Sequence, residues 1–179
     1  MELMAAAVPK DGSSRFPRLP RGRGGTRFEI SRYNFGDIGR LVMAARLLMV
    51  VSASIVLTLG VTHFVYTFWG PNLTPRDPAL EISMTQISPV ITNQTTMWRC
   101  WVGFNASHSM GLILFGLIFG FLAVAHSQVL FHSPFLLVVG LAMLGGIVVL
   151  SKLYFFSAPF AGMSVSLACY LASIVLSRA

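Results

Sequence analysis

Apolar residues run through this chain in long blocks separated by polar and turn-forming breaks. That rhythm predicts helices at about 44–69, 96–125, 134–151 and 159–177, each long enough to span a bilayer. Residues 47–68 contain no Lys, Arg, Asp or Glu and close on Trp69-Gly70-Pro71. At the helical rise that run reaches roughly 33 Å, enough to cross the hydrocarbon core. Before it, Asp37, Arg40 and Arg46 punctuate Ile38, Leu41 and Val42, which predicts a short interfacial lead-in.

The breaks are as informative as the blocks. Asn72 to Pro78 is turn chemistry, and residues 70–95 form the only long connection. Residues 79–87 predict a short amphipathic helix lying along the membrane surface and ended by Pro89, and the hydroxyls of Thr92, Thr95 and Thr96 offer caps for the next helix. Residues 126–133 read as a short return. Pro134 suits the first turn of the third span, where no backbone donor is lost, and Pro159 opens the fourth. Asn72 and Asn93 fit the N-glycosylation pattern, which matters only in a eukaryotic secretory pathway. No internal repeat is convincing.

Composition sharpens this to an all-α integral membrane four-helix bundle. Hydrophobic residues make up 55% of the chain and charged ones 11%, well below the soluble average of about a quarter. So many apolar blocks cannot all hide in one water-soluble core of this size, so lipid must be their solvent. The formal net charge of +7 would suggest nucleic acid if read alone. Its placement argues against that partner: Lys and Arg crowd residues 10–46, ahead of the first span, and Arg178 stands at the far end. Only Arg76, Arg99 and Lys152 fall to the other side, which predicts both termini in the cytoplasm. Residues 1–37 read as a basic mobile tail that touches anionic lipid, with residues 38–179 as the membrane domain. The tail lacks the order of a secretory signal peptide, and Met43 offers an alternative start of translation. Cys100 and Cys169 sit at different depths, too far apart for a disulfide, and indicate no redox compartment.

Chemistry concentrates in the second span. Trp98, Trp101, Asn105, His108 and Ser109 share one helical stripe, which should avoid lipid and look into the bundle. Gly103, Ser107 and Gly111 form a second small-residue stripe, read as neighbouring and as permitting close helix approach, and Gly116 and Gly120 continue the theme. Counted inward from Trp101 and Trp69, His108 and His63 lie about 10 and 9 Å deep. On antiparallel helices that puts both imidazoles in the same outer leaflet, with Thr62, Tyr66, Thr67, Lys152 and Tyr154 on the same side.

Trp101, Gly103, Phe104, Asn105, Ser107, His108, Ser109 and Gly111 together resemble the W-x-G-F-N-x-S-H-S signature of a group of uncharacterised bacterial four-helix membrane proteins. The resemblance covers residues 44–177 and leaves out the basic tail. It implies the four-helix architecture, a multi-pass place in the bacterial inner membrane and a special role for these polar residues; it implies no activity.

Several functions fit the intramembrane cluster of His63, Asn105, Ser107, His108 and Ser109. The first is structural: these side chains stitch helices together in an accessory component whose role lies in a membrane protein partner or a homo-oligomer. The second is haem or metal ligation by His63 and His108, though two histidines without Cys, Asp or Glu at that depth do not complete a zinc site. The third is a small dimeric transporter using His63, His108 and Lys152. An enzyme is poorly motivated, since the chain holds neither paired intramembrane carboxylates nor a Gly-x-Ser-x-Gly elbow.

Overall fold

The computed structural model describes residues 26–178, with side chains from Gly36 onward. In chain order the helices are α1 (Thr26–Phe68), α2 (Pro78–Gln86), α3 (Met97–Ala125), α4 (Ser127–His132), α5 (Pro134–Tyr154) and α6 (Ser157–Leu176), and no strand occurs among the described residues. Four segments, Gly36–Phe68, α3, α5 and α6, are long and apolar enough to cross a membrane. The basic tail through residue 25 lies outside the described residues.

The ends differ from expectation where local chemistry is weaker than it looked. Helix α1 starts at Thr26, so the lead-in and the last part of the expected tail are helical backbone. After Gly25 the sequence has no proline before Pro71, and isolated glycines at Gly36 and Gly39 do not break the i→i−4 ladder. Helix α5 continues past Lys152, whose ammonium lies 5.1 Å from the centre of the Phe160 ring. Helix α6 begins at Ser157, which places Pro159 inside its first turn rather than at its start. The return after α3 is itself a helix, α4, because Leu130 and Phe131 are buried against the bundle.

Of the caps, Thr96 was expected, while Asp77 and Ser133 emerge from the structure. Asp77 accepts a hydrogen bond from the Ala79 amide at the start of α2, Thr96 from Arg99 at the start of α3, and Ser133 from Leu136 ahead of Pro134 in α5.

The spans pack antiparallel. Helix α1 lies against α3, where Gly60 meets Leu112 and Ile113 and Gly116 meets Ala53 and Leu57. It lies also against α6: Ser52 Oγ is 2.9 Å from Ser166 Oγ, Ser173 Oγ donates to Ala45 O at 2.7 Å, and Leu59 covers Gly162. Helices α5 and α6 are joined by Tyr170, whose buried hydroxyl donates to Leu137 O at 2.9 Å while its ring covers Gly140. Phe119 of α3 packs on the same tyrosine.

The outside of this bundle is as apolar as the inside. Leu47, Leu114, Leu117, Phe121, Val138, Val149 and Val165 are all exposed. For helices apolar enough to lie in lipid, area burial gives little force between them. Small residues and interhelical hydrogen bonds supply the association instead. The close glycine contacts and the buried Ser52–Ser166 and Ser173–Ala45 pairs fit that rule.

At the end of the bundle away from the long loop, arginine finishes the helices. Arg46 Nε donates to Ala123 O at 3.2 Å and Arg46 Nη2 to Val124 O at 2.7 Å. Arg178 Nη2 donates to Phe131 O at 3.2 Å, at the last turn of α4. These carbonyls lack intrahelical partners and carry the negative end of the helix dipole, so a guanidinium there satisfies both needs.

Candidate functional site

Asn105 organises the other end. It stands two turns into α3, held there by the Thr96 cap and a stripe that faces α1. Its Nδ2 donates to Trp101 O at 2.8 Å, one turn back on its own helix. The amide oxygen is thereby turned across the seam, where His63 Nε2 lies 3.0 Å away. An amide oxygen only accepts, so His63 must carry a proton on Nε2 and donate.

His108 completes the group from one turn further along α3. Its ring meets that of His63 at 5.4 Å between centroids and 79° between planes, an edge-to-face approach. Phe155, just past the end of α5, also approaches the His108 ring, at 6.1 Å between centroids. The depth arithmetic from Trp69 and Trp101 therefore matches the geometry: the two imidazoles touch. His63 has its partner in Asn105, whereas His108 is held by ring contacts.

The expected neighbours divide. Ser109 is buried and donates to Asn105 O at 2.8 Å, which ties it to the same turn of helix. Ser107 is exposed and donates to Phe104 O at 3.0 Å, so it does not join the cluster. Thr67 donates to the backbone oxygen of His63 rather than to its ring. Lys152 sits over Phe160, and Tyr154 is exposed, leaving Phe155 as the residue of that region that reaches the histidines. Sequence reasoning missed Phe155 because nothing local distinguishes it within Leu153-Tyr154-Phe155-Phe156.

The glycine stripe needs a correction. A Cβ on Gly103 or Gly111 would meet nothing within 4 Å. At 100° per residue these glycines and Ser107 lie roughly half a turn away from Asn105, Leu112 and Gly116, so they face away from the seam rather than beside it. Close approach belongs to Gly116, where a Cβ would stand 2.6 Å from Leu57 Cβ and 2.8 Å from Ala53 O. Gly120 faces Ala53 Cβ at an ordinary 3.6 Å, and Gly60 on α1 contributes a tight contact that the sequence reading did not single out.

Between the cluster and the loop lies a small cavity of about 20 Å³, lined by residues that include Tyr66, Thr67, Thr74, Trp98 and Asn105. That volume suits one water molecule with polar partners. The loop is tied to this end by Trp101 Nε1, which donates to Leu73 O at 2.9 Å, and by the Met97 amide, which donates to Ile87 O at 2.8 Å.

This geometry does not fit axial haem ligation. An axial pair aims one nitrogen from each ring at a single iron with the macrocycle between them. Here the edge of one ring meets the face of the other, and His63 Nε2 is engaged by Asn105. Among the described residues, no three His, Cys, Asp or Glu side chains gather as a metal site would. Comparison of the chain with family models, with curated proteins and with solved structures returns no match.

Proposed function

We propose that this chain is a structural or accessory component of a bacterial inner membrane, multi-pass with both ends cytoplasmic, and not an enzyme. In this reading His63, Asn105 and His108 form a polar junction in the outer leaflet. The junction holds α1, α3 and the long loop as one unit for a membrane protein partner or a second copy of the chain. The observation that carries it is the His63–Asn105 hydrogen bond across the seam. Asn105 and Ser109 also direct their hydrogen bonds into the chain, and the adjoining space is water-sized. Hydrogen bonds turned inward on the chain at Asn105 and Ser109 suit a joint better than a transport pathway, which needs polar groups free to exchange partners.

Two measurements test this. Alkaline phosphatase fused within the long loop should be active and the same enzyme fused after Arg178 inactive; the reverse pattern would overturn the orientation. Crosslinking in intact cells should join the chain to a second membrane protein or to itself. A strictly monomeric product would remove the accessory role.

A second reading rests on the approach of the two imidazoles. One first-row transition-metal ion, copper or zinc, could take a nitrogen from each ring with the remaining positions filled by water or by a partner. Elemental analysis of the purified protein separates the two: near-stoichiometric metal lost in His108→Ala supports ligation, and its absence from the wild type supports the joint alone.

A further inference from the structure

The long loop ends in an unusual turn. The Thr92 amide donates to Pro89 O at 3.2 Å, closing a four-residue turn with Val90 and Ile91 at its centre. Central turn positions normally hold Gly, Asn, Asp or Ser, whose side chains tolerate the bend and suit water. Here they hold two β-branched aliphatics, Val90 at 109% and Ile91 at 91% exposure, the most open large hydrophobics in the described chain. Leu80, Ile82 and Ile87 lead up to them and are likewise exposed, and α2 buries none of its residues.

Charge follows the same division. Arg76, Asp77 and Glu81 stand at the start of the loop, and no further charged residue occurs until Arg99. Thr92, Asn93, Gln94, Thr95 and Thr96 follow the turn with neutral hydrogen-bonding groups. The segment is also held low. The Met97–Ile87 backbone bond fixes Ile87 at the level of the first residue of α3, and the Trp101–Leu73 bond fixes the start of the loop one turn further in. Trp98 and Trp101 mark that level as the interface of a spanning helix.

We propose that Pro78 to Ile91 is seated in the lipid headgroup region of the leaflet at this end of the bundle, with the Val90-Ile91 turn inserted at the boundary with the acyl chains. The partner is phospholipid, continuous with the lipid around α1 and α3. An apolar tip flanked by neutral hydrogen-bonding residues, with charge kept to one end of the segment, suits the boundary between headgroups and acyl chains, into which interfacial elements sink about 5–10 Å. The proposal rests on the membrane-spanning reading of the chain and not on the histidine junction.

The test uses full-length protein in phosphatidylethanolamine–phosphatidylglycerol vesicles, with Cys100→Ser and Cys169→Ser and one environment-sensitive fluorophore on Val90→Cys. A parallel sample carries the fluorophore on Leu114→Cys, an exposed position in the middle of α3. Lipid carrying a nitroxide near the headgroup should quench the Val90 label, and aqueous iodide should not. If iodide quenches Val90 while Leu114 responds only to lipid, the loop stands in water and the proposal fails while the spanning reading holds. If iodide reaches both, the spanning reading itself fails. A Val90 label shielded from both quenchers means a protein covers the turn, which also overturns lipid seating. Should the cysteine-free background fold poorly, Val90→Asp with Ile91→Asp in the native background gives a second readout. Protease added to the vesicles should then cut the loop faster than in wild type, and an unchanged rate would count against insertion.

Discussion

The seam between α1 and α3 is built in two ways along its length. In its middle, Gly60 and Gly116 bring backbones so close that neither position has room for a methyl group. At the loop end the helices no longer interlock through small residues, and His63, Asn105 and His108 reach across with long polar side chains beside a water-sized cavity. The first region is shape: it works because nothing is there. The second is chemistry, directional and adjustable. A bundle whose outside is apolar needs the first to hold together, and the second adds a directional link between the same two helices.

Substitutions can break this contrast, and the largest effect belongs in the middle. Gly116→Leu should lower thermal stability in detergent by about 2–3 kcal/mol or prevent folding, since the side chain must displace Leu57 or the Ala53 carbonyl. Tolerance of leucine there would mean the tight contact is not real.

Next comes the junction. His63→Ala and Asn105→Ala should each destabilise modestly, with a coupling of about 0.6 kcal/mol in a double-mutant cycle, the average for interhelical hydrogen bonds in membranes. Strict additivity would show that the two side chains do not share a bond.

Among the other histidines a ranking follows. His108→Ala should harm stability or function more than His126→Ala or His132→Ala, because His108 contacts both His63 and Phe155 whereas the other two are exposed. Equal tolerance of all three, measured by melting and by retention in the membrane, would undo the ranking.

The smallest effect sharpens the comparison most. Gly103→Ala and Gly111→Ala should be neutral or slightly stabilising, by up to about 1 kcal/mol from helix propensity, because each position opens away from the seam. A clear loss at either would restore the packing role that the sequence pattern suggested.

Much of this molecule was legible in one dimension. The spans emerge from summed hydropathy against a fixed bilayer thickness, and Thr96 announces the start of α3 because capping is local. Even the meeting of His63 with His108 follows from counting rises inward from two tryptophans, since antiparallel neighbours share a depth scale. Relative level along the helices was readable, and so was the facing of the polar stripe; the facing of the apolar and glycine positions was not.

Outside the polar stripe of α3, which side of each helix turns inward had to wait for the fold. These helices are apolar all round, so no contrast between a wet face and a dry one marks the interior. That is why the glycines at 103 and 111 could pass for packing residues, and why Gly60, Phe155 and the Ser52–Ser166 pair gave no signal. By itself the sequence determined that four helices are long and apolar enough to cross a membrane, and roughly where along the chain each lies. Only the tertiary structure decided rotation and partnership, because in a medium as oily as the core those are set by shape and hydrogen-bond geometry between helices distant in the chain.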